Sequence, residues 1–63
     1  MVYSVRMRDL ATGAEEWLTD KSGNRIEWSE RGFADIAAYG AFRLAAGKLP
    51  FVVELDTDFE VPV

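Results

Sequence analysis

The side chains best placed for chemistry are four carboxylates close to the carboxy terminus. Glu54, Asp56, Asp58 and Glu60 recur at every second residue, so on an extended strand they project from one face about 6.6 Å apart. What such a row does is electrostatic. It forms a negative ridge for an arginine- or lysine-lined groove, including one built for DNA, and contributes specificity and association rate more than affinity. Asp20 and Glu27 are second-line candidates for the same surface. The alternative is a solvated edge. If the last strand lies beside the first, Arg6 and Arg8 share that face with Glu54 and Asp56 and pair with them across strands, and charged edges also block aggregation. A DNA duplex carries one charge per roughly 1.7 Å, far denser than this ridge.

Catalysis has little else to draw on. The 63 residues include no histidine and no cysteine, and no Ser or Thr stands in a motif with a base. The carboxylates lack a concave, desolvated pocket to tune them. Asp56-Thr57-Asp58-Phe59 lacks the glycine and terminal glutamate of a calcium loop. Ser22-Gly23-Asn24 has one glycine and no helix behind it, so it is no phosphate cradle. The expectation is a protein that is not an enzyme, with no cofactor and no metal.

Length sets one hydrophobic core and a single domain over 1–63. Hydrophobic residues make up 49%, a globular composition. A chain this short buries only about 60% of its unfolded surface, and disulfides are excluded, so self-association is an open route to further burial. Eleven acidic against seven basic residues give a net charge of −4. No basic stripe is visible, which argues against direct nucleic-acid binding. No apolar run approaches the roughly 20 residues of a membrane span, and the start lacks a signal region. Met1 followed at once by strand-like residues reads as a complete small reading frame, with the cytoplasm as its address.

The elements that must hold these residues follow from periodicity. Val2 to Arg8 alternates, with Tyr3, Val5 and Met7 opposite Ser4, Arg6 and Arg8, as a half-buried strand does. Leu10 to Ala14 reads as a loop. Glu16–Asp20 and Arg25–Trp28 read as a hairpin turning at Ser22-Gly23, with Asp20 opposite Arg25, Thr19 opposite Ile26 and Trp17 opposite Trp28. A loop over Leu10–Ala14 then sets Met7 against Trp17 and Arg8 against Glu16. Ser29 suits the cap of a helix from about Glu30 to Ala46, whose face toward the sheet is Phe33, Ile36, Ala37, Gly40 and Leu44. Gly47 suits the end of that helix, Lys48 its negative pole, and Pro50 forbids continuation. From Phe51 to Val61 one long strand puts Phe51, Val53, Leu55, Phe59 and Val61 on one face and Val52 with the acidic row on the other. The expected fold is α+β, β-β-β-α-β: one four-stranded, mostly antiparallel sheet in order 4-1-2-3, its last pair parallel, with one helix on one face.

Outside the acidic row, Tyr39 and Phe42 sit off the helix stripe, as partner-facing anchors, as a wrap around the core edge, or as a homodimer seam. Trp17 and Trp28 read as core packing more than as a stacking platform. Leu18 reads as an isolated apolar spot among polar neighbours.

The small acidic frame and this layout resemble phage-encoded anti-CRISPR proteins, most of all compact acidic inhibitors of type I systems. That resemblance implies an accessory protein, a DNA mimic of sorts, that binds a basic DNA-binding surface of the host Cascade complex through Glu54, Asp56, Asp58, Glu60, Asp20 and Glu27 and blocks target recognition. A second resemblance runs from Tyr3 to about Ala46. A tyrosine-led strand, a tryptophan strand, a glycine turn and Ser29-Glu30-Arg31-Gly32-Phe33 entering a helix look like YegP-like bacterial domains, with Arg31 interrupting their serine-glutamate-glycine-tyrosine segment and Phe33 in place of the tyrosine. It implies a homodimerising interaction module with no inhibitory role.

Overall fold

A computed structural model describes residues 1–61 of the chain. Four strands and one helix succeed one another: β1 (Tyr3–Asp9), β2 (Glu15–Trp17), α1 (Arg31–Leu44), β3 (Lys48–Glu54) and β4 (Phe59–Val61). The strands form one sheet in the order β2-β1-β3-β4, and every neighbouring pair is antiparallel. The fold is α+β, a four-stranded sheet with one helix packed on it.

Within that class the strand order differs from 4-1-2-3, and no pair is parallel. Trp28 is pinned to the start of β1, its N–H donating to the Tyr3 carbonyl at 2.8 Å and the Tyr3 N–H returning the bond. A helix of 14 residues spans about 21 Å, close to the roughly 23 Å of a seven-residue strand. It therefore delivers the chain to the far end of β1, where Lys48 stands opposite Asp9, and β3 can only run back antiparallel. Arg25–Trp28 is no strand; it touches the sheet region through the isolated bridges Thr19↔Arg25 and Tyr3↔Trp28. The fourth strand comes instead from the end of the chain, which folds into the β3–β4 hairpin. Pro50, expected only to end the helix, lies within β3; β4 pairs only Val52 to Glu54, so the proline faces an open edge where a missing N–H costs nothing.

Register is set by two aspartate–glycine loops. Asp9 Oδ1 accepts the N–H groups of Ala11 and Thr12 at 2.8 and 3.2 Å, Gly13 adopts φ 77°, and the Asp9 N–H meets the Ala14 carbonyl at 2.8 Å. This closure pairs Arg6 with Trp17 and Arg8 with Glu15, one residue away from the expected Met7–Trp17 pairing. Since side chains alternate, a one-residue slip exchanges faces: Trp17 leaves the helix side and Leu18 joins the core. Asp20 Oδ1 likewise accepts the N–H groups of Ser22 and Asn24, with Gly23 at φ 85°. Thr19 consequently faces Arg25 rather than Ile26, around a three-residue loop of the kind that needs glycine in the left-handed region.

The core lies between α1 and the sheet. Val5, Met7, Val52 and Val61 meet Ala34 and Ala38, flanked by Tyr3, Leu18, Trp28, Ala37, Ala41 and Ala45. The helix thus turns its alanine stripe inward, opposite to the expected face of Phe33, Ile36, Gly40 and Leu44. Alanines at 34, 38, 41 and 45 follow helical spacing as well as the large residues do, and they let the backbone approach the β-branched floor of Val5 and Val52 closely. Glu30, not Ser29, occupies the N-cap position, and no side chain caps the helix. Gly47 is left-handed (φ 79°), as its place after the helix demands.

Candidate functional site

The acidic residues do not stand as a free ridge. The segment after β3 turns at Leu55–Asp58, so the alternation of Glu54, Asp56, Asp58 and Glu60 does not lie on one strand. Asp58 occupies the turn with φ 55°, and its Oδ1 accepts Arg6 Nη2–H at 2.8 Å. Glu60 Oε1 accepts Arg8 Nη2–H at 3.0 Å. Glu54 Oε1 accepts the Thr57 hydroxyl at 3.4 Å. Asp56 is exposed in the turn. Asp20 holds its own loop, and Glu27 is paired with Arg25 at 3.0 Å. The solvated-edge alternative is therefore the one the geometry matches, with different partners: Arg6 and Arg8 take Asp58 and Glu60 rather than Glu54 and Asp56.

These pairs belong to a network on the sheet face away from α1. Arg8 Nε donates to Glu15 Oε2 at 2.6 Å while its guanidinium lies 4.2 Å over the Phe51 ring. Arg6 lies 4.7 Å and Arg25 5.0 Å from the Trp17 ring centre. Trp17 is thus a platform for two cations rather than a core residue, and cation–π contact with tryptophan favours that placement. Glu15 accepts from Arg8 and faces Arg6, so one carboxylate on β2 serves both arginines of β1. Phe51 and Val53 also stand on this face rather than on the helix side. The buried Ser4 hydroxyl donates to the Ile26 carbonyl at 2.7 Å, tying the Thr19–Glu27 excursion down.

Among the described residues, Arg8, Lys48 and Asp9 are shifted from their ordinary values. The hydrogen bond to Glu15 raises Arg8, against the opposing pull of burial, with the charges of Glu15 and Glu60 assisting. The bond to Glu16 raises Lys48. The N–H groups of Ala11 and Thr12 lower Asp9. A carboxylate held low in the folded chain binds its proton less readily than in the unfolded chain, at about 3.9. Its contribution to stability is complete above that value and disappears as pH falls through the lower folded value. Denaturation midpoints should therefore drop as pH falls below about 4, and Asp9→Asn should show lower stability at neutral pH with a flatter acid limb.

The second surface is the outer side of α1. Phe33, Ile36, Tyr39, Phe42 and Leu44 are 58, 70, 65, 54 and 90% exposed. Tyr39 and Phe42 lie off the core, and Phe33, Ile36 and Leu44 join them there. Arg43 lies 6.0 Å from the Tyr39 ring. Beside this face runs a largely apolar groove lined by Asp35, Ala38, Tyr39, Phe42, Leu49 and Pro50; Asp35 Oδ1 is buried with no hydrogen-bond partner, while its other oxygen faces Arg31 Nε at 3.6 Å. Periodicity alone puts the large residues on the inner stripe; the signal that would have found the inner side is size, since alanines at 34, 38, 41 and 45 mark the side where backbones approach.

Among the described residues no cluster of three or more carboxylates is placed to hold a metal, and no helix is long and apolar enough to cross a membrane. Comparison with family models, curated proteins and solved structures returns no match to this chain.

Proposed function

We propose that this chain is a non-catalytic protein-interaction module whose recognition surface is the outward face of α1. One observation carries the reading: the helix gives its alanines to its own core and its phenylalanines, isoleucine, tyrosine and leucine to water. A helix apolar on all sides belongs in a place buried on all sides, and contiguous apolar surface of this kind marks an interaction site. The expected Cascade inhibitor needed unpaired carboxylates to meet a basic surface. With Asp58 and Glu60 held by Arg6 and Arg8, the partner's complementary surface is apolar instead.

The test uses dilute protein and a fluorescent dye that lights up on apolar surface. Wild type should enhance the dye, and the double variant Ile36→Glu, Leu44→Glu should lose most of that signal while its thermal midpoint shifts by less than about 4 °C. An unfolded variant, or undiminished dye binding, would overturn the reading.

A further inference from the structure

Resting on that reading of the α1 face, we infer that its occupant is a second copy of this chain, docked helix to helix in antiparallel orientation about a two-fold axis beside Ile36. Residues 32–40 read Gly-Phe-Ala-Asp-Ile-Ala-Ala-Tyr-Gly. About Ile36, glycine balances glycine at 32 and 40 and aromatic balances aromatic at 33 and 39; Ala34 and Ala38 are buried in each copy's own core and take no part, and Asp35 and Ala37 are not matched. A two-fold contact is made by one patch with itself, so that residue i meets j and j meets i. An antiparallel helix pair centred on Ile36 imposes that correspondence, setting Gly32 against the partner's Gly40 and Phe33 against the partner's Tyr39.

The relief of the surface agrees. Gly32, Ile36 and Gly40 lie four residues apart in one row, the kind of ridge through which helices most often pack. Apart from the helix's own neighbouring backbone, nothing lies within 4 Å of the space a Cβ would fill at either glycine, and Ile36 stands 70% exposed between them. Each copy therefore offers notch, knob, notch. The two isoleucines pass side by side at the axis, each beside a glycine notch of the other copy, and the aromatic pairs close the flanks.

Charge fits the same orientation. Glu30 stands at the N-cap and Arg43 in the last turn. Running the helices oppositely brings Arg43 of each copy beside Glu30 of the other, twice by symmetry, and opposes the helix dipoles. A strip about 21 Å long and about 10 Å wide is about 210 Å² on each copy, well under the roughly 800 Å² per partner of a standard interface. The association is therefore weak and reversible, with a dissociation constant of about a hundred micromolar or above, rather than a permanent dimer.

Sedimentation equilibrium of the full chain across a dilution series from about 10 µM to 2 mM, a range bracketing that affinity, should show a monomer–dimer transition. Gly40→Leu separates shape from stickiness. It adds apolar surface and improves helix propensity, so mere hydrophobic attraction would keep or strengthen association, whereas a filled notch should weaken it about tenfold or more. Because the chain has no cysteine, Ile36→Cys should form a disulfide-linked dimer under mild oxidation while Thr57→Cys, in the distant turn, should not. A monomer at every concentration, undiminished association of Gly40→Leu, or no cross-link at position 36 would each overturn the two-fold pairing. If the dye still binds the face in that event, only the identity of the occupant falls; if the dye experiment fails too, the face itself is not a docking surface.

Discussion

Replacing Ala38 with leucine should lower the thermal midpoint of dilute protein by about 10 °C, while Ile36→Ala should leave it nearly unchanged. The usual ranking, in which a large residue matters more than a small one, is reversed by the orientation of α1. Ala38 is buried against the sheet beside Val5 and Val52 and meets the groove beside Leu49 and Pro50 only at its rim, so the three extra carbons of leucine press on the valine floor. Overpacking a tight contact costs about 1–3 kcal/mol. Each kcal/mol moves the midpoint of a domain of 60–100 residues by roughly 4–8 °C. Ile36 has most of its surface in water already, so truncation removes little burial from the monomer, and alanine is the better helix former. A calorimetric comparison of the two variants at low concentration decides the matter. Tolerance of leucine at 38 together with collapse of the alanine variant at 36 would turn the helix around.

The second large effect concerns the sheet's other side. Val53→Ala should destabilise about as much as Val52→Ala, near 2 kcal/mol each from the lost methyl groups and the cavity they leave. Val52 belongs to the core under α1, where such a cost is ordinary. Val53 is its neighbour on β3 and faces the other way, yet both are fully buried. On that side the burial accompanies Ser4, whose hydroxyl holds the Ile26 carbonyl, and the arginine–aromatic network of Arg6, Arg8, Trp17 and Phe51. Urea denaturation of the two variants reads the comparison. A near-neutral Val53→Ala would mean that this face is open to water and that the network covers nothing.

Much of the architecture was legible because local chemistry and tertiary packing agree there. The alternation from Tyr3 to Arg8 specifies β1, the helix falls within one to two residues of its expected ends, and Gly13, Gly23 and Gly47 stand at turns where the backbone is left-handed. Register was less legible. It depends on one residue of loop length, four against five in the first loop and three against two in the second, and here that is decided by Asp9 and Asp20 binding backbone N–H groups inside their own loops. One residue of slip moved Trp17 and Leu18 to opposite faces. The final hairpin was hidden for a different reason: no glycine or proline marks the turn at Leu55–Asp58, and Asp58 takes the left-handed conformation itself, a position that aspartate tolerates better than most residues. Alternation read straight through that turn produces a single strand with an acidic edge. The single acidic strand edge has the same cause. The acidic row exists in the sequence but not in space, while the outward stripe of α1 was visible as residues and assigned to the wrong side.

Thiol reactivity at two adjoining helix positions tests the orientation of α1 most directly. In dilute protein, the Ile36→Cys variant should react with an alkylating reagent nearly as fast as in denaturant, and the Ala38→Cys variant should be protected until the domain unfolds. Protection at 36 with rapid reaction at 38 would mean that the large apolar residues are the core, and the proposed docking face would not exist.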